Sequence, residues 1–172
     1  DLDGARILAT DLEEARLRFP DNGEIPVRQA AVALDADQPL TAARFLQVAA
    51  EYDSAYALDA AELFRRAGRV QEALYMNARV ADPVEKVRQR LGLLLDAQDF
   101  ERALALQPRL SRLSLTEEDS VAYGLAYARF RIGDIAGAEA LLKGISDPDL
   151  FQKATALRAA MERCSDNPEG CG

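Results

Sequence analysis

The sequence of 172 residues contains no histidine and no tryptophan. The missing histidine removes the usual general base and the commonest metal ligand. The sequence also shows no nucleophile beside a base and no phosphate-binding loop, because the Gly-x-x-x-Gly at 133–137 lacks the lysine that would reach a phosphate. We therefore predict that the chain is not an enzyme, and we predict neither a cofactor nor a metal site.

Positive charge and long apolar runs are also scarce. The formal net charge is −8, whereas a nucleic-acid-binding domain normally presents a basic face. No run of residues approaches the roughly 18 consecutive apolar positions of a membrane-spanning helix. The composition therefore favours an acidic chain that binds no nucleic acid and that has no membrane span in this segment.

The two cysteines, Cys164 and Cys171, lie seven residues apart in a tail that contains glycine and proline. Two thiols so close together, beyond the last predicted helix, favour a small disulfide-closed loop. Such a bond implies an oxidising compartment such as the bacterial periplasm. The alternative is a cytosolic protein with two unpaired thiols in its tail.

An alanine recurs through the chain at positions 5, 42, 73, 103 and 138, and the residues around it fall into matching columns. The alanine column and the columns three before, three after and seven after it are apolar at nineteen of twenty positions, with Pro39 as the exception. Offsets of three, three and four residues place these columns on one face of a helix. The alanine predicts a close approach of a neighbouring helix, because only a small side chain leaves room for one.

A second helix is predicted to precede each of the last four alanines. Small or apolar residues stand twelve positions before them, at Ala30, Ala61, Leu91 and Ala126. Glycines stand five positions before two of them, at 68 and 133, where one helix must turn into the next. The β-branched residues never alternate over a useful length, so no strand is predicted. The fold prediction is all-α.

Local signals set the predicted helix boundaries. Phe19-Pro20-Asp21-Asn22-Gly23 is a strong stop. Pro39 and Pro83 suit the first turn of a helix, where the missing N–H costs little. Pro108 is expected to kink the stretch 99–113 or to end its helix early.

Four capping groups are predicted as well. Asp99 and Asp134 are expected to cap the helices that follow them, and Ser54 is expected to cap a helix over 54–67. Thr116 to Asp119 carry capping chemistry for a helix that ends near Ile132. These signals divide the chain into the second helix of a cut repeat (1–20), repeats (about 23–52, 54–82, 83–114 and 117–145), a final helix (147–163) and a tail (164–172). The cut repeat leads us to expect a fragment of a longer array.

The spacings between the alanines are 37, 31, 30 and 35 residues, around the tetratricopeptide period of about 34. Residues 1–163 resemble a tetratricopeptide (TPR) array, which implies a right-handed superhelical solenoid of helix-turn-helix repeats. Within that resemblance, the first helix of each pair lines a concave groove. Projecting the pattern residue by residue gives these groove residues: Leu58, Glu62, Arg65, Arg66, Arg88, Tyr123, Tyr127 and Arg131.

Two interpretations of the groove residues remain open. Tyrosine and arginine are enriched at binding hot spots, and an arginine fork can hold a carboxylate with two bonds. The groove would then bind a partner. The alternative is that Tyr127 and Phe130 simply pack between helices, while the arginines pair with Glu62, Glu85 or Asp96.

The stretches 60–69 (AAELFRRAGR), 73–78 (ALYMNA), 151–155 (FQKAT) and 161–164 (MERC) are similar to the periplasmic TPR scaffolds of bacterial exopolysaccharide exporters, chiefly the Pel type. The resemblance implies a solenoid that precedes an outer-membrane β-barrel. In that family, such a solenoid docks a polymer-modifying enzyme or guides polymer to the pore, and this role implies a periplasmic location. Two alternatives stay open: a cytosolic TPR adaptor or chaperone of an export system, and a module that binds polysaccharide directly.

Overall fold

The computed structural model describes residues 2–166, although of residues 2–6, 9, 165 and 166 it describes the backbone alone. Over this range the regular elements are helical and there is no β-strand. The chain divides into two compact units, Asp1–Lys86 and Val87–Gly172. The predicted all-α class is confirmed, whereas the superhelical solenoid over 1–163 stays a prediction.

The helices follow one another through short connections. Those that lie within the first unit are α1 (Leu2–Arg18), α2 (Glu24–Asp35), α3 (Pro39–Tyr52), α4 (Tyr56–Arg66) and α5 (Val70–Arg79). Helix α6 (Pro83–Asp96) contains the boundary between the units. The second unit continues with α7 (Phe100–Leu104), α8 (Gln107–Arg112), a 3-10 turn (Leu115–Glu117), α9 (Asp119–Arg131), α10 (Ile135–Leu142) and α11 (Pro148–Asp166).

The same turn joins two helices at four places in the chain. Its central residue has a positive φ, which is 53° at Asp37, 70° at Gly68, 56° at Gln98 and 86° at Gly133. The N–H of the next residue donates to the carbonyl five residues back, at 2.8–2.9 Å in all four turns. This is the hydrogen-bond pattern of a Schellman C-cap. The turns with and without glycine therefore close four hairpins in the same way.

The recurring alanine occupies the same place in these four hairpins. Ala42, Ala73, Ala103 and Ala138 are each 0% exposed. The residues twelve positions before and seven positions after them are also buried: Ala30, Ala61, Leu91, Ala126, Ala49, Val80, Leu110 and Ile145. Each hairpin thus buries its own set of equivalent apolar positions, at which small side chains allow close approach. The side chain of the fifth alanine, Ala5, lies outside the described side chains.

Helix α11 completes a core in the second unit. Its Ala154, Leu157 and Met161 recur at helical spacing and pack with buried residues of α9 and α10, including Ala126 and Leu142. Asp147 Oδ1 accepts hydrogen bonds from the first free N–H groups of α11, at 2.9 and 3.0 Å, as an N-terminal cap does. The predicted final helix is therefore present and is held by its apolar face.

The structure bears out several predicted helix signals: α1 ends at Arg18, before the stop, and Pro39 and Pro83 begin α3 and α6. Asp99 accepts from the N–H of Arg102 at 3.2 Å, and Asp134 accepts from the N–H of Gly137 at 2.9 Å. The stretch 99–113 is broken into α7 and α8. Pro108 lies in the first turn of α8, where no N–H is needed.

Two capping predictions are wrong. Helix α4 begins later than expected, and Asp53 Oδ1, rather than Ser54, accepts the N–H of Ala55 at 2.9 Å. Helix α9 follows a 3-10 turn and has no side-chain cap. The acidic groups there have other partners, because the Asp119 carboxylate accepts the N–H groups of Ser146 and Asp147 at 2.8 and 2.6 Å.

Candidate functional site

The first group of predicted groove residues lies on α4. Leu58, Glu62, Arg65 and Arg66 are spaced so that they share one side of the helix. The Glu62 carboxylate accepts two bonds from Arg65 at 2.8 Å and one from Arg66 at 3.1 Å. The hydrogen bond from Arg65 is the main cause that lowers the pKa of Glu62. The alternative interpretation therefore holds here, because both arginines bind a carboxylate of their own helix.

Arg88 also has an internal partner. It lies on α6 and donates two hydrogen bonds, at 3.0 and 2.7 Å, to the carboxylate of Glu118 at the start of α9. The hydrogen bond from Arg88 is the main cause that lowers the pKa of Glu118. Glu118 was not among the carboxylates expected for the arginines, which were Glu62, Glu85 and Asp96. The arginine fork is thus engaged within the second unit.

The third group lies on α9, where Tyr123, Tyr127 and Arg131 recur every four residues. Phe100, the first residue of α7, joins them. The Arg131 guanidinium carbon stands 4.8 Å from the centre of the Phe100 ring and 5.9 Å from that of Tyr127. Its Nη1 donates to the Tyr127 hydroxyl at 3.0 Å. We call Phe100, Tyr123, Tyr127 and Arg131 the α9 surface.

The aromatic rings of the α9 surface are fixed by packing. Phe100 and Tyr127 meet edge to face, with ring centres 5.9 Å apart and planes 79° apart, which is a favoured aromatic arrangement. Tyr123 and Tyr127 also pack on the core beneath α9. Burial, more than the neighbouring Tyr127, raises the pKa of Tyr123. The rings therefore provide a rigid base for the guanidinium.

Arg131 differs from the other predicted arginines in its partners. Within residues 2–166, Arg65, Arg66 and Arg88 each bind a carboxylate, whereas no described carboxylate pairs with the exposed Arg131. A guanidinium carries five N–H donors. The remaining donors of Arg131 face solvent beside an aromatic wall, so the arrangement suits a carboxylate from outside the chain.

Phe100 was not predicted as a site residue. The sequence placed it in the apolar column three residues before Ala103, where its equivalents Pro39, Val70 and Ile135 are half-buried like itself. The only local signal was its aromatic ring in a column otherwise filled by smaller residues. Its contact with Arg131 depends on the pairing of α7 with α9 and is not visible in the local pattern.

Three further predictions concern a membrane span, a metal site and a disulfide. No described helix combines the length and apolar character that crossing a bilayer requires. Residues 2–166 bring together no group of three or more side chains suited to a metal ion. Cys164 is half-buried near the end of α11, while Cys171 lies outside the described residues, so the predicted disulfide stays a prediction.

Comparison of the chain with protein-family models, with curated proteins and with solved structures finds no match. The resemblance to TPR arrays noted in the sequence therefore stays a prediction. The geometry of the hairpins and of the α9 surface carries the functional argument.

Proposed function

We propose that the chain is a non-catalytic protein–protein interaction module whose α9 surface binds a carboxylate of a partner protein. The observation that carries this proposal is the environment of Arg131. Phe100 and Tyr127 hold its guanidinium from inside the chain, and no described carboxylate neutralises it. A receptor for an anionic group requires a cation that is fixed in place but unpaired.

The free energy expected from one such hydrogen bond is large enough to affect the affinity for a partner. A hydrogen bond to a charged group contributes about 1.5–3 kcal/mol, and arginine and tyrosine are common among the residues that dominate an interface. Stacking on Phe100 restricts Arg131 before binding, so less conformational entropy is lost when a partner docks. The hairpin of α9 and α10 supports this surface, because Tyr123 and Tyr127 pack on its buried residues.

We further propose that the four hairpins belong to a TPR-like solenoid and that this solenoid is part of a periplasmic scaffold for exopolysaccharide export. The partner would then be a polymer-modifying enzyme of the same system, or the module would guide polymer to the pore. The recurring buried alanine and the repeated turn support the solenoid. The export setting is supported by the resemblance of the stretches 60–69, 73–78 and 151–164.

The α9 surface is tested by capture of partners on the immobilised chain, followed by quantitative mass spectrometry. We expect one protein to be enriched by the wild-type chain and to fall about tenfold or more with Arg131→Gln, because a charge-assisted bond is lost. Tyr127→Phe removes only the hydroxyl that orients Arg131 and should cause a smaller loss. A peptide of that protein should then lose affinity when its acidic side chains are replaced by amides.

The matched control is Arg109→Gln. Arg109 is an exposed arginine of the same unit that pairs with no described carboxylate. Unlike Arg131, it contacts no aromatic ring among the described residues. It should capture the partner as well as the wild type does. Equal capture by Arg131→Gln and Arg109→Gln would reject the α9 surface as the docking site.

The periplasmic location is tested separately through the cysteines. In the native host, we expect non-reducing mass spectrometry to find Cys164 and Cys171 joined. A free Cys164 in envelope fractions would contradict the periplasmic proposal without affecting the α9 surface.

A further inference from the structure

A cavity of about 700 Å³ opens in the first unit, beside the connection between α1 and α2. The sequence predicted only a helix stop there. Its wall comes from three short segments, which are the end of α1 with the following loop, the end of α3, and the start of α4. The lining includes Arg18, Phe19, Asp21, Glu24, Tyr52 and Asp53. The volume lies within the usual range of ligand sites, roughly 300–1,000 Å³.

The wall of this corner cavity is fixed by one tyrosine. The Tyr52 hydroxyl donates to the carbonyl of Pro20 at 2.7 Å, which ties the end of α3 to the loop. The same ring passes over Gly23, where an added Cβ would stand 2.8 Å from the Tyr52 Cβ. Glycine is therefore needed at position 23 for the close approach. The cavity exists before any ligand arrives.

Aromatic surface remains exposed at the cavity. Phe19 is 58% exposed and Tyr52 is 50% exposed, and the half-buried Tyr56 lies in the same wall. Aromatic faces attract cations through their quadrupoles. The exposed faces of these two rings make no use of their apolar surface within the fold, and an apolar or cationic ligand would cover them.

The lining of the cavity carries a net negative charge. Asp21, Glu24 and Asp53 contribute three carboxylates against the single guanidinium of Arg18. Asp53 uses one oxygen on the N–H of Ala55, and no ion pair joins Arg18 to any of the three carboxylates among the described residues. The carboxylates thus keep oxygen atoms available for a positively charged group.

We propose that the corner cavity binds a basic segment of a partner polypeptide, with a lysine or arginine side chain between the aromatic rings and the carboxylates. The rings would cover the apolar stem of that side chain, and the carboxylates would hold its charged end. The cavity has room for more than one side chain, which favours an extended segment over a lone ion. A neutral sugar would also stack on the rings and donate hydroxyls to the carboxylates, but only a cation gains the attraction of the net negative charge.

The binding experiment uses the full chain labelled with ¹⁵N and titrated at low salt with the peptide acetyl-Lys-Leu-Lys-Leu-Lys-amide. We expect the amide signals of residues 18–24 and 52–56 to shift, and the affinity to fall as salt is added. A double variant, Asp21→Asn with Glu24→Gln, should bind roughly fivefold more weakly or worse, because two surface charge pairs are lost. Phe19→Ser should also weaken binding, because it removes one ring.

The matched control is Asp35→Asn, which removes one exposed carboxylate at the opposite end of α2. It should leave the affinity and the pattern of shifted signals unchanged, and circular dichroism checks that every variant is folded. Three outcomes would overturn the proposal: no shifts at residues 18–24 and 52–56, an equal loss with Asp35→Asn, or shifts caused by cellohexaose but not by the peptide. Failure here leaves the α9 surface untouched, because that surface is tested with an acidic ligand and with variants of other residues.

Discussion

The turn residue Gln98 provides a sensitive test of the repeated hairpin. Gln98 occupies the turn position that glycine fills at positions 68 and 133, and its φ of 56° is in the left-handed region. The left-handed conformation costs an L-residue roughly 1–2 kcal/mol, whereas glycine adopts it freely at an entropic cost of about 0.5–1 kcal/mol. We therefore expect Gln98→Gly to raise the free energy of unfolding by about 0.5–1 kcal/mol.

The reverse change should have the opposite sign. At Gly68 the φ is 70°, and an added Cβ would have no atom within 4 Å. Gly68→Gln therefore adds backbone strain without a steric clash, and we expect a loss of about 1 kcal/mol. Urea unfolding followed by circular dichroism measures both changes.

Gln152→Gly is the control for this pair. Gln152 is exposed in the interior of α11, where glycine should cost about 0.5–1 kcal/mol. If Gln98→Gly destabilised the chain as Gln152→Gly does, Gln98 would not occupy a left-handed turn, and the common design of the hairpins would be refuted.

Three further outcomes are expected. Gly137→Ala should cost about 1 kcal/mol by urea unfolding, opposite to the usual gain inside a helix, because the new Cβ would clash with Asp134 Oδ2, which pairs with Arg129. Asn77→Ala should cost about 1–3 kcal/mol, since the fully buried Asn77 donates to the Lys86 carbonyl at 2.9 Å. Hydrogen bonds from Asp147 and Ser146 lower the pKa of Asp119 below its ordinary 3.8, so its contribution to stability is complete above that pH and is lost as the pH falls further. Asp119→Asn should therefore flatten the acid side of the stability–pH curve, and an unchanged curve would contradict the observed contacts.

Much of the hairpin design could be predicted from local sequence. Ala42 and its equivalents stand in columns whose spacing matches one helix face, and glycines at two of the turns signal a positive φ. Asp99 and Asp134 precede helices with the chemistry of a cap. These features depend on neighbours within a few residues, so a single sequence contains the necessary information.

Features that depend on contacts between distant residues were not predictable. One local turn was also unmarked, because Gln98 has a positive φ although glutamine, unlike glycine or aspartate, does not favour it. Arg88 binds Glu118, which is 30 residues away in the chain, although acidic residues lie closer to it in sequence. The contact between Phe100 and Arg131 likewise depends on how two helices pack.

The contacts of Arg129, near the end of α9, are another feature that the local sequence does not show. In the structure it pairs with Asp134 and donates to Gln107 Oε1 at 2.9 Å, so it joins α9 to the start of α8 and to the following turn. Gly137 leaves the space for this pair. The Arg129 side chain thus ties the end of α9 to the turn that follows it.

The four hairpins are defined above all by the turn that they share. Backbone chemical shifts and coupling constants from solution NMR measure the φ angles of these turns directly. We expect positive φ angles at Asp37, Gly68, Gln98 and Gly133, each between two helical segments. Continuous helical values through any of these four positions, or extended values in place of a flanking helix, would contradict the shared turn.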